Sequence, residues 1–176
     1  MIELIPTDLI IPTKETLLNA ESEWIESMRK DWTPFAITAV FKASGSVPRP
    51  DYWLDQYKHK VVWKVNKRLC RHAKELIVVH EFGCYYEFEE SSLKKSFADK
   101  RHPHHVHAIL LIPTSMTNRV WDEVEQKLSP RLTKDFQSIS IVSSVLMEPI
   151  RTGETISWLV YSAKGKDLTH IKRSNK

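Results

Sequence analysis

Residues Arg101 to Pro113 read RHPHHVHAILLIP, a histidine cluster that leads into an apolar run closed by a proline. The apolar run has the length and composition of a buried β-strand. Because alternate side chains of a strand share a face, His105 and His107 are predicted to project together, about 7 Å apart along the chain. Neutral imidazole is a common ligand of divalent metals, so the pair is a candidate metal site. The alternative is a histidine-rich surface loop, or two histidines at the end of a strand.

Composition predicts the class of protein. The chain has 176 residues, of which 41% are hydrophobic and 27% charged, and we expect one globular domain over 1–176. A formal net charge of +4 favours an anionic partner, usually nucleic acid, although modest basicity also serves solubility. Two cysteines are too few for a disulfide framework, which is typical of a reducing compartment. Without a signal-peptide pattern or an apolar run of about 20 residues, a soluble cytoplasmic protein with no membrane partner is expected.

Hydrophobic periodicity and turn residues divide the chain into helices and strands. The predicted elements are a helix from Thr13, a strand Ala36–Phe41, a helix Asp55–Lys74, strands Leu76–Gly83 and His104–Ile112, a helix from about Asn118 to Leu128, a strand Ile139–Ile150, and a helix from Glu154 to about Lys164. This order predicts an α+β fold: a ferredoxin-like or RRM-like split βαββαβ core with a central antiparallel sheet and extra helices at both ends. The core spans about 35–164, and 165–176 form a basic tail that we expect to be frayed.

A row of cations follows the predicted helix Asp55–Lys74 at helical spacing, on the side away from its apolar stripe. Such a row is suited to the phosphates of a nucleic acid, but a solvated helix face also carries charges. The candidate DNA-binding residues, with one arginine ahead of the histidine strand, are Lys60, Lys64, Lys67, Arg71, Lys74 and Arg101. Trp53 and Tyr86 are candidates for stacking on bases, although core packing is the more usual role of such aromatics.

A third metal ligand is expected on the strand before the histidines. If the two strands are neighbours, Glu81 can reach an ion held by His105 and His107, and a set of two histidines and a carboxylate suits Mn²⁺ or Mg²⁺. The rival ligands are His80, Glu87, Glu89 and His104. An ordinary charge at a strand end remains an alternative for Glu81.

Tyr161 and Lys164 lie three residues apart on the last predicted helix, and this spacing places them on one face. A phenol has a pKa near 10, so a tyrosine nucleophile needs a cation or a metal nearby. The pattern alone is not specific, because Tyr57 and Lys60 show the same spacing.

Together these motifs resemble the HUH endonuclease superfamily, in its single-tyrosine rolling-circle replication initiator (Rep) type. His105-Val106-His107 matches the metal-binding motif of that family, and Tyr161 with Lys164 matches its Tyr-x-x-Lys motif on a later helix. Thr38 lies in an early strand where the family has its first motif. Glu81 resembles the third metal ligand of many members. Tyr57 precedes the histidine strand, so the order of motifs favours Tyr161 as the nucleophile.

The resemblance implies an enzyme that nicks and rejoins single-stranded DNA at a specific origin or hairpin site. Mn²⁺ or Mg²⁺ polarises the scissile phosphate, Tyr161 becomes joined to the 5′ phosphate, and Lys164 orients or stabilises charge. The context is rolling-circle replication of a plasmid, virus or mobile element, with host replication proteins such as a helicase as partners. A transposase or relaxase of the same superfamily is the alternative.

Two other classes of hydrolase match the sequence less well, and a non-catalytic module is a third alternative. Histidine-triad hydrolases alternate three histidines along a strand, but positions 103 and 109 are Pro and Ile here. A zinc hydrolase needs further ligands downstream, where His170 lies in the tail. A non-catalytic ferredoxin-like nucleic-acid-binding module with a metal site remains the main alternative, and it has no need of the Tyr161 phenol.

Overall fold

The computed structural model describes residues 13–42, 50–69, 77–84 and 105–162. For the strand segment 77–84, which precedes the histidines, it describes the backbone only. The elements in chain order are α1 Lys14–Met28, β1 Trp32–Phe41, α2 Pro50–Gln56, a π-helical segment Tyr57–Val62, α3 Trp63–Leu69, β2 Ile77–Cys84, β3 His105–Pro113, a 3₁₀ helix Thr114–Arg119, β4 Trp121–Asp122, β5 Lys127–Leu128, α4 Pro130–Gln137, β6 Val142–Pro149 and α5 Thr155–Ser162. The predicted α+β class is confirmed. No helix within these ranges is long and apolar enough to cross a membrane.

Four strands form an antiparallel sheet in the order β2-β3-β1-β6. The histidine strand β3 is central and pairs along nearly its whole length with β1. Both central strands are apolar without alternation because both of their faces are covered by helices, and seven consecutive residues of β3 are buried. The apolar run that follows the histidines is therefore an inner strand, as predicted.

Helices cover the two faces of the sheet in separate layers. On one face, α2, the π-helical segment, α3 and α4 pack against Phe35, Ile37 and Leu110. On the other face, α1 and α5 pack against Ile109 and Leu111. The chain thus has a helix before β1 and another after β6, and both lie on the face that carries His107.

The predicted helix from Asn118 to Leu128 is wrong. This segment ends a 3₁₀ helix and then forms the β4–β5 hairpin, in which the Asp122 carboxylate accepts hydrogen bonds from the backbone amides of Val124 and Glu125. Val124, inside the predicted helix, is 90% exposed. The side chain of Asp122 competes with helical hydrogen bonding, as short polar side chains do at turns.

Helix α4 was missed, although its start has strong signals. Ser129 is the N-cap, and its hydroxyl accepts a hydrogen bond from the amide of Leu132 at 3.4 Å. Pro130 occupies the first helical position, where its missing N–H costs nothing. The hydroxyl of Thr13 caps α1 in the same way, by accepting a hydrogen bond from the amide of Thr16.

Candidate active site

His105 and His107 lie on one face of β3, as the strand period predicts. Their ring centroids are 4.8 Å apart, and the rings are nearly perpendicular. His107 is buried, with 6% of its surface exposed, whereas His105 is half-buried at the start of the strand. Two imidazoles therefore converge where the covered part of the sheet meets solvent.

Thr38 of β1 holds the ring of His107. Strand register pairs these two residues, and Thr38 Oγ1 lies 2.8 Å from Nδ1 of His107. In the tautomer that binds a metal through Nε2, the Nδ1–H group donates to the threonine oxygen. This hydrogen bond fixes the plane of the ring and keeps Nε2 available for a ligand.

Tyr161 of α5 lies beside the same histidine. The ring centroids of His107 and Tyr161 are 5.4 Å apart, and Trp158, one turn earlier, lies 5.6 Å from both rings. Tyr161 is 59% exposed, so its phenol is accessible to a large substrate. The last helix thus carries a solvent-accessible phenol to the histidine pair. Lys164 lies outside the described residues.

The position of α5 depends on the turn that precedes it. Gly153 adopts φ +83° in this turn, a conformation that glycine adopts without strain. The guanidinium of Arg29, at the end of α1, donates to the carbonyls of Ile150 and Arg151 and to the hydroxyl of buried Thr155. One arginine therefore joins α1 to the start of the helix that carries Tyr161.

Glu26 completes this network, and its ionisation makes the network sensitive to acid. The hydrogen-bonded guanidinium of Arg29 holds the pKa of the Glu26 carboxyl below its ordinary value of 4.5, against the opposing effect of burial, and Thr155 also donates to it. Since the folded pKa is the lower one, the unfolded chain takes up a proton first as the pH falls. The contribution to stability is therefore complete above about pH 6 and is lost as the pH falls through the folded pKa.

We expect Glu26→Gln to lower the free energy of unfolding at neutral pH by about 1 kcal/mol, since the ion pair is partly screened by solvent. Urea unfolding between about pH 3.5 and 7 should show a flatter acid dependence for this variant than for the unmodified protein. Glu23→Gln, at an exposed position of the same helix, is the control and should keep the original dependence. Parallel curves for the Glu26 variant and the unmodified protein would contradict this account.

The described side chains do not include an assigned third metal ligand. Within the described ranges, no group of three or more His, Cys, Asp or Glu side chains is arranged to hold a metal. Glu81 and His80 belong to β2, whose side chains lie outside the described residues, as do Glu87, Glu89 and His104 entirely. The backbone register pairs Glu81 with Ala108, which faces the α3 layer, and pairs His80 with Ile109, which shares the face of His107. The register position therefore favours His80 over Glu81.

The predicted DNA-binding lysines lie apart from the histidine pair. Lys60, Lys64 and Lys67 belong to the helical layer on the opposite face of the sheet. Arg71, Lys74 and Arg101 lie outside the described residues. The structure therefore brings Tyr161, His105 and His107 together but does not place these three lysines beside them.

Two aromatic residues that the sequence left open, Tyr57 as a nucleophile and Trp53 as a base-stacking residue, are buried. Tyr57 is fully buried in the core of the opposite layer, so its phenol is not accessible as a nucleophile. Trp53 is 4% exposed and packs on Phe41, with ring centroids 4.9 Å apart, which makes it a core residue. Tyr86 lies outside the described residues. The most exposed aromatic among the described residues of this layer is Trp63, which the sequence did not single out.

Sequence reasoning also missed Trp158 and Arg29. Trp158 precedes Tyr161 by three residues, so helical spacing already places the two on one face. Arg29 donates to partners more than 120 positions later in the sequence, and no local pattern indicates such a partner.

Comparisons of the chain with protein-family models, curated proteins and solved structures found no significant match.

Proposed function

We propose that this protein is a metal-dependent endonuclease and strand transferase that nicks and rejoins single-stranded DNA through a 5′-phosphotyrosine intermediate. The observation that carries the proposal is the position of Tyr161, an exposed phenol 5.4 Å, centroid to centroid, from a histidine held in place by a threonine. The helix and the strand that bring the two together are distant in sequence. Core packing does not require a phenol in this exposed position.

The residues present fit a divalent metal in part. His105 and His107 supply two nitrogen donors on one face, and the hydrogen bond between His107 Nδ1 and Thr38 leaves Nε2 as the ring nitrogen that would bind a metal. The third donor is proposed from β2, either Glu81 or His80. When bound, Mn²⁺ or Mg²⁺ supplies Lewis-acid polarisation of the scissile phosphate.

In the proposed reaction, the Tyr161 oxygen attacks the phosphorus and the P–O3′ bond breaks. The phenolic proton passes to solvent, and the departing 3′ oxygen takes up a proton to become a hydroxyl. The tyrosine retains the 5′ phosphate as a diester, so attack by a 3′ hydroxyl reverses the step and rejoins strands. Lys164, three residues after Tyr161 in the sequence, is proposed to stabilise charge on the phosphate.

Space for the substrate strand is proposed on the open part of the same sheet face. Leu146 of β6 pairs with Thr38 in the register and is 68% exposed. Val160, next to the nucleophile on α5, is 53% exposed. Exposed apolar side chains on the face of the sheet that carries the proposed nucleophile are suited to contact with an unpaired base.

The fold supports the same proposal at a finer level. Excluding α1 and α5, the sheet strands and covering helices follow the order β, α, β, β, α, β, and this order, with the antiparallel sheet order β2-β3-β1-β6, supports a ferredoxin-like split βαββαβ core. We propose this core over about 35–164. Rolling-circle replication, with an origin or hairpin as substrate and a host helicase as partner, is the proposed role, and transposition or mobilisation is the alternative.

Incubation with a pool of end-labelled single-stranded oligonucleotides and Mn²⁺ tests the proposal. We expect a protein-linked DNA band on a denaturing gel that EDTA prevents. A complete absence of linked product from a randomised pool that covers short hairpins would contradict the proposal. It would favour the second candidate function, a non-catalytic nucleic-acid-binding module. The helical layer that carries Lys60, Lys64 and Lys67 supports this function on its own.

Thr38 gives a sharper test of the metal site, since it acts only by positioning His107. We expect Thr38→Val to raise the Mn²⁺ concentration for half-maximal adduct formation about 10- to 100-fold, as loss of such an outer partner typically does. Thr33→Val, on the same strand and hydrogen-bonded to Thr114 instead, is the matched control. Equal Mn²⁺ dependence of the two variants would show that Thr38 has no such role.

A further inference from the structure

Two clefts open at the two ends of α4, in the layer opposite the candidate active site. The first, about 590 Å³, lies at the start of α4, and its lining includes Lys67, Arg68, Arg119 and Arg131. The second, about 570 Å³, lies at the end of α4, and its lining includes His59, Lys60, Trp63 and Lys64. Because α4 has eight residues, the two clefts are about 12 Å apart.

The clefts are strongly cationic. Among the described residues that line them, none is acidic. The nearby carboxylate of Asp135 is already engaged: it is paired with Arg68 and lies 3.9 Å from the ammonium of Lys64. A hydrogen bond of 2.6 Å from Arg119 to the carbonyl of Leu69 orients a further guanidinium at the first cleft. The charge left on this layer is therefore available to an anionic partner.

Trp63, in the lining of the second cleft, adds a second kind of contact. It is 51% exposed, and the ammonium groups of Lys64 and Lys67 lie 5.5 Å and 5.2 Å from its ring centroid. An exposed indole flanked by cations is the combination by which proteins bind unpaired nucleotides: the ring stacks on a base, and the cations contact the phosphates.

We infer that this layer is a second nucleic-acid-binding surface, on which a single DNA strand lies across α4 with phosphates in both clefts and a base on Trp63. The sheet separates it from Tyr161 and His107. It therefore holds a different part of the strand from the one at the histidine pair. Only the choice of DNA as the nucleic acid rests on the proposed function, since binding here needs neither metal nor Tyr161.

Salt-dependent binding of a fluorescent oligo(dT) of about 20 nucleotides to the full chain in EDTA tests the inference. In the triple variant Lys60→Gln, Lys67→Gln and Arg131→Gln, we expect affinity to fall at least about tenfold and the log–log salt slope to fall by about 2, since each contact to a single strand contributes about 0.7. The matched control removes the same charge elsewhere: Lys30→Gln, Lys127→Gln and Arg151→Gln. It should keep the salt slope of the unmodified protein.

Trp63→Ala separates stacking from charge. We expect it to weaken oligo(dT) binding about tenfold with an unchanged salt slope, and to abolish any preference for oligo(dT) over a duplex of equal length. Equal affinities and slopes in the two triple variants would overturn the inference, as would tighter binding of the duplex by the unmodified protein. Neither result would bear on adduct formation at Tyr161, so failure of this surface and failure of the proposed function are distinguishable.

Discussion

Tyr161→Phe is expected to reduce the protein–DNA adduct more than about 10³-fold, because the substitution removes the oxygen that is proposed to form the diester and changes little else. The ring contacts with His107 and Trp158 remain in the variant, since they involve the aromatic ring and not the hydroxyl. The phenol is at the surface, so its removal leaves no cavity. The measurement is the rate of adduct formation with Mn²⁺ and a cleavable oligonucleotide.

Tyr52→Phe is the matched control, since Tyr52 is also exposed but belongs to α2 on the other face of the sheet. It should form adduct at the unmodified rate. Binding of oligo(dT) should be the same in both variants. If the Tyr161 variant kept its adduct, the nucleophile would be another residue and the central proposal would be wrong.

His107→Gln is the second large effect. We expect loss of adduct by more than about 10³-fold at low Mn²⁺, since the proposed site loses one of its two described nitrogen donors. Tight Mn²⁺ binding, measured as loss of the free-ion paramagnetic resonance signal, should disappear in the same variant. His59→Gln, at an exposed position in the layer on the opposite face of the sheet, should retain tight Mn²⁺ binding.

Burial of His107 makes a second variant necessary, because its substitution can also destabilise the fold. His105→Gln removes the half-buried partner and should weaken Mn²⁺ binding with little change in thermal stability. Raising the Mn²⁺ concentration should restore part of its adduct formation, whereas Tyr161→Phe should not respond. Full activity of the His105 variant at low Mn²⁺ would contradict its assignment as a ligand.

The parts of the fold that local pattern determines were predictable. The apolar run after His107 had to be a strand, and the strand period placed His105 and His107 together. The β4–β5 hairpin shows where local pattern fails. The segment around Val124 was predicted to be helical, but the Asp122 carboxylate accepts hydrogen bonds from the amides of Val124 and Glu125 and fixes a turn there. The signal for α4, serine followed by proline, was present and was outweighed by the wrong helix before it.

The site itself depended on tertiary structure more than on pattern. Helical spacing related Tyr161 to Trp158, but nothing local related either of them to His107, more than 50 residues earlier. Their meeting follows from the packing of α5 on the histidine face and from Arg29, which joins α1 to the turn before α5. The lysine row was likewise visible in the sequence, whereas its position on the opposite face was not.

The most direct test of the central claim is the site of the covalent bond. The adduct formed with Mn²⁺ is trimmed with a nuclease, digested with a protease and sequenced by mass spectrometry. We expect a nucleotide attached through its 5′ phosphate to the peptide that contains Tyr161, at the phenolic oxygen. Attachment to any other residue, or linkage through a 3′ phosphate, would contradict the account.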